Sequence, residues 1–153
     1  MVKTAMCFIV NSDKILLIWK KKGVGNGFWN GPGGRLEKGE KPLDCVVREV
    51  VEETGIKPIK PERLGFVEFY LDQKNLPDYV AYVYGAEKFS GILKETDEAN
   101  PKWFPIDRIP YDKMFAEDKK HWVPLVIAKK PFKGKFYFTN NWNMLLSKEI
   151  VLI

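Results

Sequence analysis

Residues 34–56 read Gly34-Arg-Leu-Glu-Lys-Gly-Glu40-Lys-Pro42-Leu-Asp-Cys-Val-Val-Arg48-Glu49-Val-Val-Glu52-Glu53-Thr-Gly55-Ile56. Within them Leu43, Val46, Val47 and Val50 recur at i, i+3, i+4 and i+7, the repeat of an apolar helix face. Pro42 at the front and Gly55 just past the end are start and stop signals, so a helix is predicted over 42–54. Glu49, Glu52 and Glu53 fall at i, i+3 and i+4 and therefore share one side of it, next to the valine stripe. Glu53 borders the apolar arc and is expected to be the most desolvated of the three. Like charges this close are costly, since a pair ~4 Å apart repels by ~4 kcal/mol at an effective dielectric of about 20. Arg48 can relieve one through an i,i+4 pair with Glu52, and Glu40 can hold Arg48 or add a ligand. The remaining charge needs water or a cation. Hard oxygen ligands on one rigid face suit Mg²⁺ or Mn²⁺, which bind a few carboxylates together with substrate phosphates. A plain solvated acidic face would carry the same glutamates, so the helix alone does not choose.

Outward from the helix, residues 23–34 form a loop rich in glycine, which demands unusual backbone angles or close approach. Before it, residues 2–10 and 15–19 read as strands joined by Asn11-Ser12-Asp13-Lys14, a hairpin. After the helix, strands are predicted near 63–71 and 79–89, a turn at 105–111, and a second helix over 119–130. Phe136, Phe138 and the Val151-Leu-Ile end suggest closing strands. Strands, helix, strands, helix, strand is an α+β order rather than a doubly wound sheet.

The chain has 153 residues, 45% hydrophobic and 14% aromatic, which suffices for one core without disulfide or metal staples. A net charge of +5 mildly favours an anionic partner. The apolar run Ala5–Val10 is too short to span a bilayer, and no small-residue cleavage site follows it. Cys7 and Cys45 have neither metal nor disulfide-framework spacing. A cytoplasmic protein with no membrane partner is expected.

The segment fits Gly-x5-Glu-x7-Arg-Glu-U-x-Glu-Glu-x-Gly-U, where U is apolar, with Gly34, Glu40, Arg48, Glu49, Val50, Glu52, Glu53, Gly55 and Ile56 in place. A chance match of this kind has a probability on the order of 10⁻⁷. This resembles the Nudix box. The resemblance implies a single Nudix domain over 1–153 with its box at 34–56, folded as a three-layer α/β/α sandwich around a mixed β-sheet. It implies Mg²⁺-dependent hydrolysis of a nucleoside diphosphate linked to another moiety. Glu49, Glu52 and Glu53 would hold the metal, Glu53 would take the catalytic part, Arg48 would orient the glutamates, and Gly34 would let the loop backbone approach metal and phosphates.

Beyond the box, Lys20–Gly34, Asp97–Phe104, Ile109–Met114, Trp122–Leu125 and Lys129–Gly134 resemble the MutT-homologous enzymes of animals that hydrolyse oxidised purine nucleoside triphosphates. That implies release of monophosphate and pyrophosphate from substrates such as 8-oxo-dGTP, in nucleotide-pool sanitation, by a monomer with no stable nucleic-acid partner. Carried over, Asn30 and the Glu117-Asp118 pair would read the base. Asp118 would accept guanine's N1–H and amine, Phe69 and Phe115 would wall the pocket, Lys20 would approach the phosphates, and Glu98 would stand near the metal. Trp29, beside Asn30, is expected near the ligand. Phe115 replaces a tryptophan and Glu117 an aspartate, and Lys119-Lys-His121 is one residue longer. An RNA 5′-end or dinucleoside polyphosphate pyrophosphohydrolase stays open, the latter through Tyr70. A nucleotide-sensing domain without activity would have an eroded box, whereas every carboxylate is present here.

Overall fold

Alternation along two strands at the centre of the sheet explains why each of its faces carries a helix. In the computed structural model, which describes residues 1–153, these strands are β1 (Val2–Asn11) and β2 (Lys14–Lys20). Ala5, Cys7, Ile9 and Leu16 pack with Cys45, Val46 and Val50 of helix α1 (Pro42–Thr54). Phe8, Ile15 and Leu17 pack instead with Trp122, Val123 and Val126 of helix α2 (Lys119–Ile127). Successive strand residues point to opposite faces, so the two helices cover opposite sides of one sheet. This is the α+β sandwich expected.

The sheet has nine strands. Its main path runs β11 (Leu145–Leu152), β10 (Phe132–Phe138), β6 (Glu62–Leu71), β7 (Tyr79–Ala86), β1, β2, β3 (Trp29–Asn30). Strand β4 (Gly33–Arg35) joins β1, and β9 (Ala99–Pro105) joins β2. The β1–β7 and β10–β6 pairs are parallel and the others antiparallel, which makes the sheet mixed. A small separate ladder pairs β5 (Ile56–Ile59) with β8 (Lys88–Gly91). No helix is long and apolar enough to cross a membrane.

Helix α1 has the predicted bounds. Pro42 needs no hydrogen-bond acceptor in the first turn, and Gly55 takes the left-handed conformation, φ 80°, with its N–H on Val51 O. Other expectations shift. The β1–β2 hairpin is short, pairing Val10 with Ile15 and Asn11 with Lys14, because most of β1 is taken by β7 and most of β2 by β9. The strand expected over 79–89 stops at Ala86, and the chain crosses to pair with β5. The second helix ends at Ile127 because Lys129 adopts φ 56° and Pro131 follows. Strand β9 carries Pro101 and Pro105 and escaped prediction; it lies at a sheet margin, where a missing N–H is tolerated.

Candidate active site

Strand β4 lies along β1 with Gly34 opposite Ala5 and Gly33 opposite Met6, which carries the glycine loop past the acidic side of α1. A Cβ on Gly34 would stand 2.5 and 2.6 Å from the Glu49 carboxylate oxygens, so glycine is what lets that carboxylate lie against the strand. The Gly33 N–H donates to Glu53 Oε1 at 2.7 Å. Arg48 grips Glu40 with two parallel bonds, Nε to Oε2 and Nη2 to Oε1, both 2.8 Å, and its Nη1 donates to Glu49 Oε1 at 2.8 Å. The i,i+4 contact with Glu52 is looser, at 3.4 Å, so the loop residue rather than the helix neighbour is Arg48's principal partner. Those bonds hold the Glu40 carboxyl down at about 2.

The third acid arrives from far along the chain. Glu98 precedes β9, and its carbonyl accepts from Lys21 N–H at 2.9 Å as β9 pairs with β2. One carboxylate oxygen each of Glu49, Glu53 and Glu98 then lie within 4.8 Å of one another. Glu52 stays outside this trio, its side chain 46% exposed. Burial pushes the Glu53 carboxyl up to about 8, with Glu49 and Glu98 adding to the rise and the Gly33 N–H and Lys20 opposing it. Three hard oxygen donors in mutual repulsion, one of them 1% exposed, fit a divalent cation.

The carboxylates open into a cavity of about 590 Å³ that also takes in Lys20, Asn30, Phe69, Phe115, Lys119 and Trp142. The Trp142 ring lies 5.3 Å from Phe69 and 5.5 Å from Phe115, centroid to centroid, so part of the wall is an aromatic box. A larger cavity of about 730 Å³ opens beside Ile59, Leu64 and Val126 and contains none of the candidate residues. A NUDIX domain model matches residues 2–126.

The chain belongs to the Nudix family.

It is 36% identical over 134 residues to the oxidized purine nucleoside triphosphate hydrolase of Danio rerio, covering 87% of this chain and 84% of that one. The Mus musculus protein of the same name is 32% identical over 141 residues, covering 92% and 88%. Among solved structures, a MutT protein from Bacillus halodurans superposes with a TM-score of 0.84 at 27% identity, over 98% of this chain and 97% of that one. The protein is a Nudix hydrolase. Such enzymes generally use divalent metals and act on nucleotides, and an acidic cluster that could hold such an ion is present.

In this Nudix hydrolase most of the expected residues share the one cavity. Lys20, Asn30, Gly34, Arg48, Glu49, Glu53, Phe69, Glu98 and Phe115 all line it. Glu52, Glu117 and Asp118 do not. Asp118 is fully buried and accepts from Trp122 Nε1 at 2.8 Å and Lys119 Nζ at 3.2 Å, while Glu117 is exposed with Oε1 on Leu145 N–H at 3.4 Å. Each residue at the start of α2 turns the side chain by ~100°, and the side chain that meets the cavity is the next one, Lys119. Trp29 is also displaced from expectation, packed edge-on against Trp19 and Phe104. Trp142 was not anticipated. It sits between β10 and β11 at φ 65°, and its only sequence signal is a large aromatic within an Asn-Trp-Asn turn. Cys7 and Cys45 are buried free thiols pushed up to about 12 by desolvation, which leaves them unreactive.

The raised Glu53 carboxyl has a consequence for stability without metal. An unfolded glutamate releases its proton near ~4.3, whereas folded Glu53 keeps it until about pH 8. Between those values the folded state binds the extra proton, so its contribution to stability is full below the lower value and declines as pH rises. In EDTA, wild type should lose stability relative to Glu53→Gln as pH goes from 5 to 8, by on the order of 3 kcal/mol at pH 7. Urea unfolding of both proteins across that range measures it. Parallel curves would mean that Glu53 is ionised in the folded state throughout.

Proposed function

We propose that this Nudix hydrolase cleaves nucleoside triphosphates carrying an oxidised purine, such as 8-oxo-dGTP, to the monophosphate and pyrophosphate. The observation that carries this is one cavity of about 590 Å³ lined both by a cation-competent carboxylate trio and by the aromatic side chains Phe69, Phe115 and Trp142. The names of the zebrafish and mouse relatives support the choice of base.

Glu49, Glu53 and Glu98 would hold Mg²⁺, with Mn²⁺ the natural substitute. When bound, the ion neutralises phosphate charge and favours deprotonation of water. The chain's own groups do the rest. Arg48, anchored on Glu40, fixes the Glu49 carboxylate, and Gly34 leaves room for it. Glu53 Oε1 is tied to Gly33 N–H, which leaves Oε2 to take a proton from the attacking water. Lys20 and Lys22 line the same cavity and steer the triphosphate, while Lys21 turns away to pair with Glu95.

The test is turnover of a panel with Mg²⁺: 8-oxo-dGTP, 2-hydroxy-dATP, dGTP, dATP, ADP-ribose, a dinucleoside polyphosphate and triphosphorylated RNA. The highest kcat/KM is expected for an oxidised purine triphosphate, with turnover abolished by excess EDTA. A preference for ADP-ribose or RNA ends would replace the proposed substrate class.

A further inference from the structure

Lys119 is 3% exposed, and lysine is among the residues least often buried without a reason. Its ammonium donates to Phe115 O at 2.8 Å and Asp118 Oδ1 at 3.2 Å. An ammonium has three donors, so one N–H is left after these two bonds. The nitrogen lies 5.4 Å from the Phe115 ring centre and 5.8 Å from that of Phe69, within cation–π range of both and inside the aromatic box. Asp118 behind it balances the charge, and the two bonds hold the remaining donor in a fixed direction. Asn30 adds to the same polarity. Its Oδ1 accepts from Gly31 N–H at 2.8 Å, which turns the NH₂ group into the amide's available side. The cavity's acids belong to the carboxylate trio and the adjoining loop, so the aromatic box offers donors and no carboxylate.

We propose that Lys119 reads the base through its free N–H, and that the nucleotides selected are those whose base presents a carbonyl oxygen to it. This rests on the proposed nucleotide hydrolysis and sharpens its substrate class. Oxidation of a purine creates such an oxygen, at C8 of guanine or at C2 of adenine in the keto form. Undamaged adenine has none. Recognition of guanine's N1–H and amine edge by an acid, as expected of Asp118, has no counterpart in this arrangement, because Asp118 is fully buried and does not line the cavity.

The test is calorimetric binding, in EDTA, of monophosphates that differ at the base: dAMP, 2-hydroxy-dAMP and dIMP. Wild type should bind at least one of the two carbonyl-bearing bases about tenfold or more tighter than dAMP, the scale for a charged hydrogen bond. Lys119→Met removes the donor and keeps the stem. Because it strands Asp118, the pair Asp118→Asn with Lys119→Met is measured beside it. Both variants should bring the ratio within about threefold. A ratio that survives in either folded variant, or a wild type that does not favour a carbonyl base, overturns the proposal. Hydrolysis of the matching triphosphates, run in parallel, judges the proposed activity separately. A binding ratio that follows Lys119 without any pyrophosphate release would uphold base reading and refute the activity.

Discussion

Glu53→Gln is expected to lower kcat by about 10²–10⁴ with little change in fold. Glutamine retains an oxygen that can accept the Gly33 N–H, now made by Glu53 Oε1 at 2.7 Å, so the loop has no reason to move. What is lost is the negative charge and a proton acceptor at the most buried point of the trio. Stability without metal should rise at neutral pH, because the substitution removes a carboxyl held against its desolvation and against Glu49 and Glu98. Loss of activity together with a gain in stability is hard to obtain from a structural lesion. Saturation kinetics and urea unfolding on the same preparation measure both. Near wild-type kcat would remove Glu53 from the chemistry.

Gly34→Ala is expected to cost about 10² or more in kcat/KM, although it adds only one methyl group. Gly34 does not have a positive φ, so alanine meets no backbone strain there. The whole effect comes from the added Cβ, which would fall on the Glu49 carboxyl group. Either Glu49 swings away from Glu53 and Glu98, or β4 leaves its register on β1. A double-mutant cycle separates these. If Gly34 serves Glu49, then Gly34→Ala combined with Glu49→Ala should be no slower than Glu49→Ala alone. Additive losses would mean that the strand itself had moved.

How far the site could be foreseen follows from how local each part is. Helix α1 was legible to the residue because periodicity, Pro42 and Gly55 all act within one segment. The burial of Glu53 followed from its place beside the valine stripe. Arg48's grip on Glu40 was visible only as an option, since it depends on the path of the loop and not on helix spacing. The nearness of Glu98 to Glu49 and Glu53 has no local signal; it came from family likeness and physically requires β9 to pair with β2. The base end was the least legible. Whether Asp118 or Lys119 meets the cavity turns on one residue at the start of α2, and Trp142 reaches the box from the connection between β10 and β11.

Product analysis tests the central claim most directly. 8-oxo-dGTP incubated with the protein and Mg²⁺ should give pyrophosphate and 8-oxo-dGMP in equal amounts by phosphorus NMR, with no reaction in excess EDTA and almost none for Glu53→Gln. Orthophosphate with 8-oxo-dGDP as products, or equal turnover in EDTA, would contradict it.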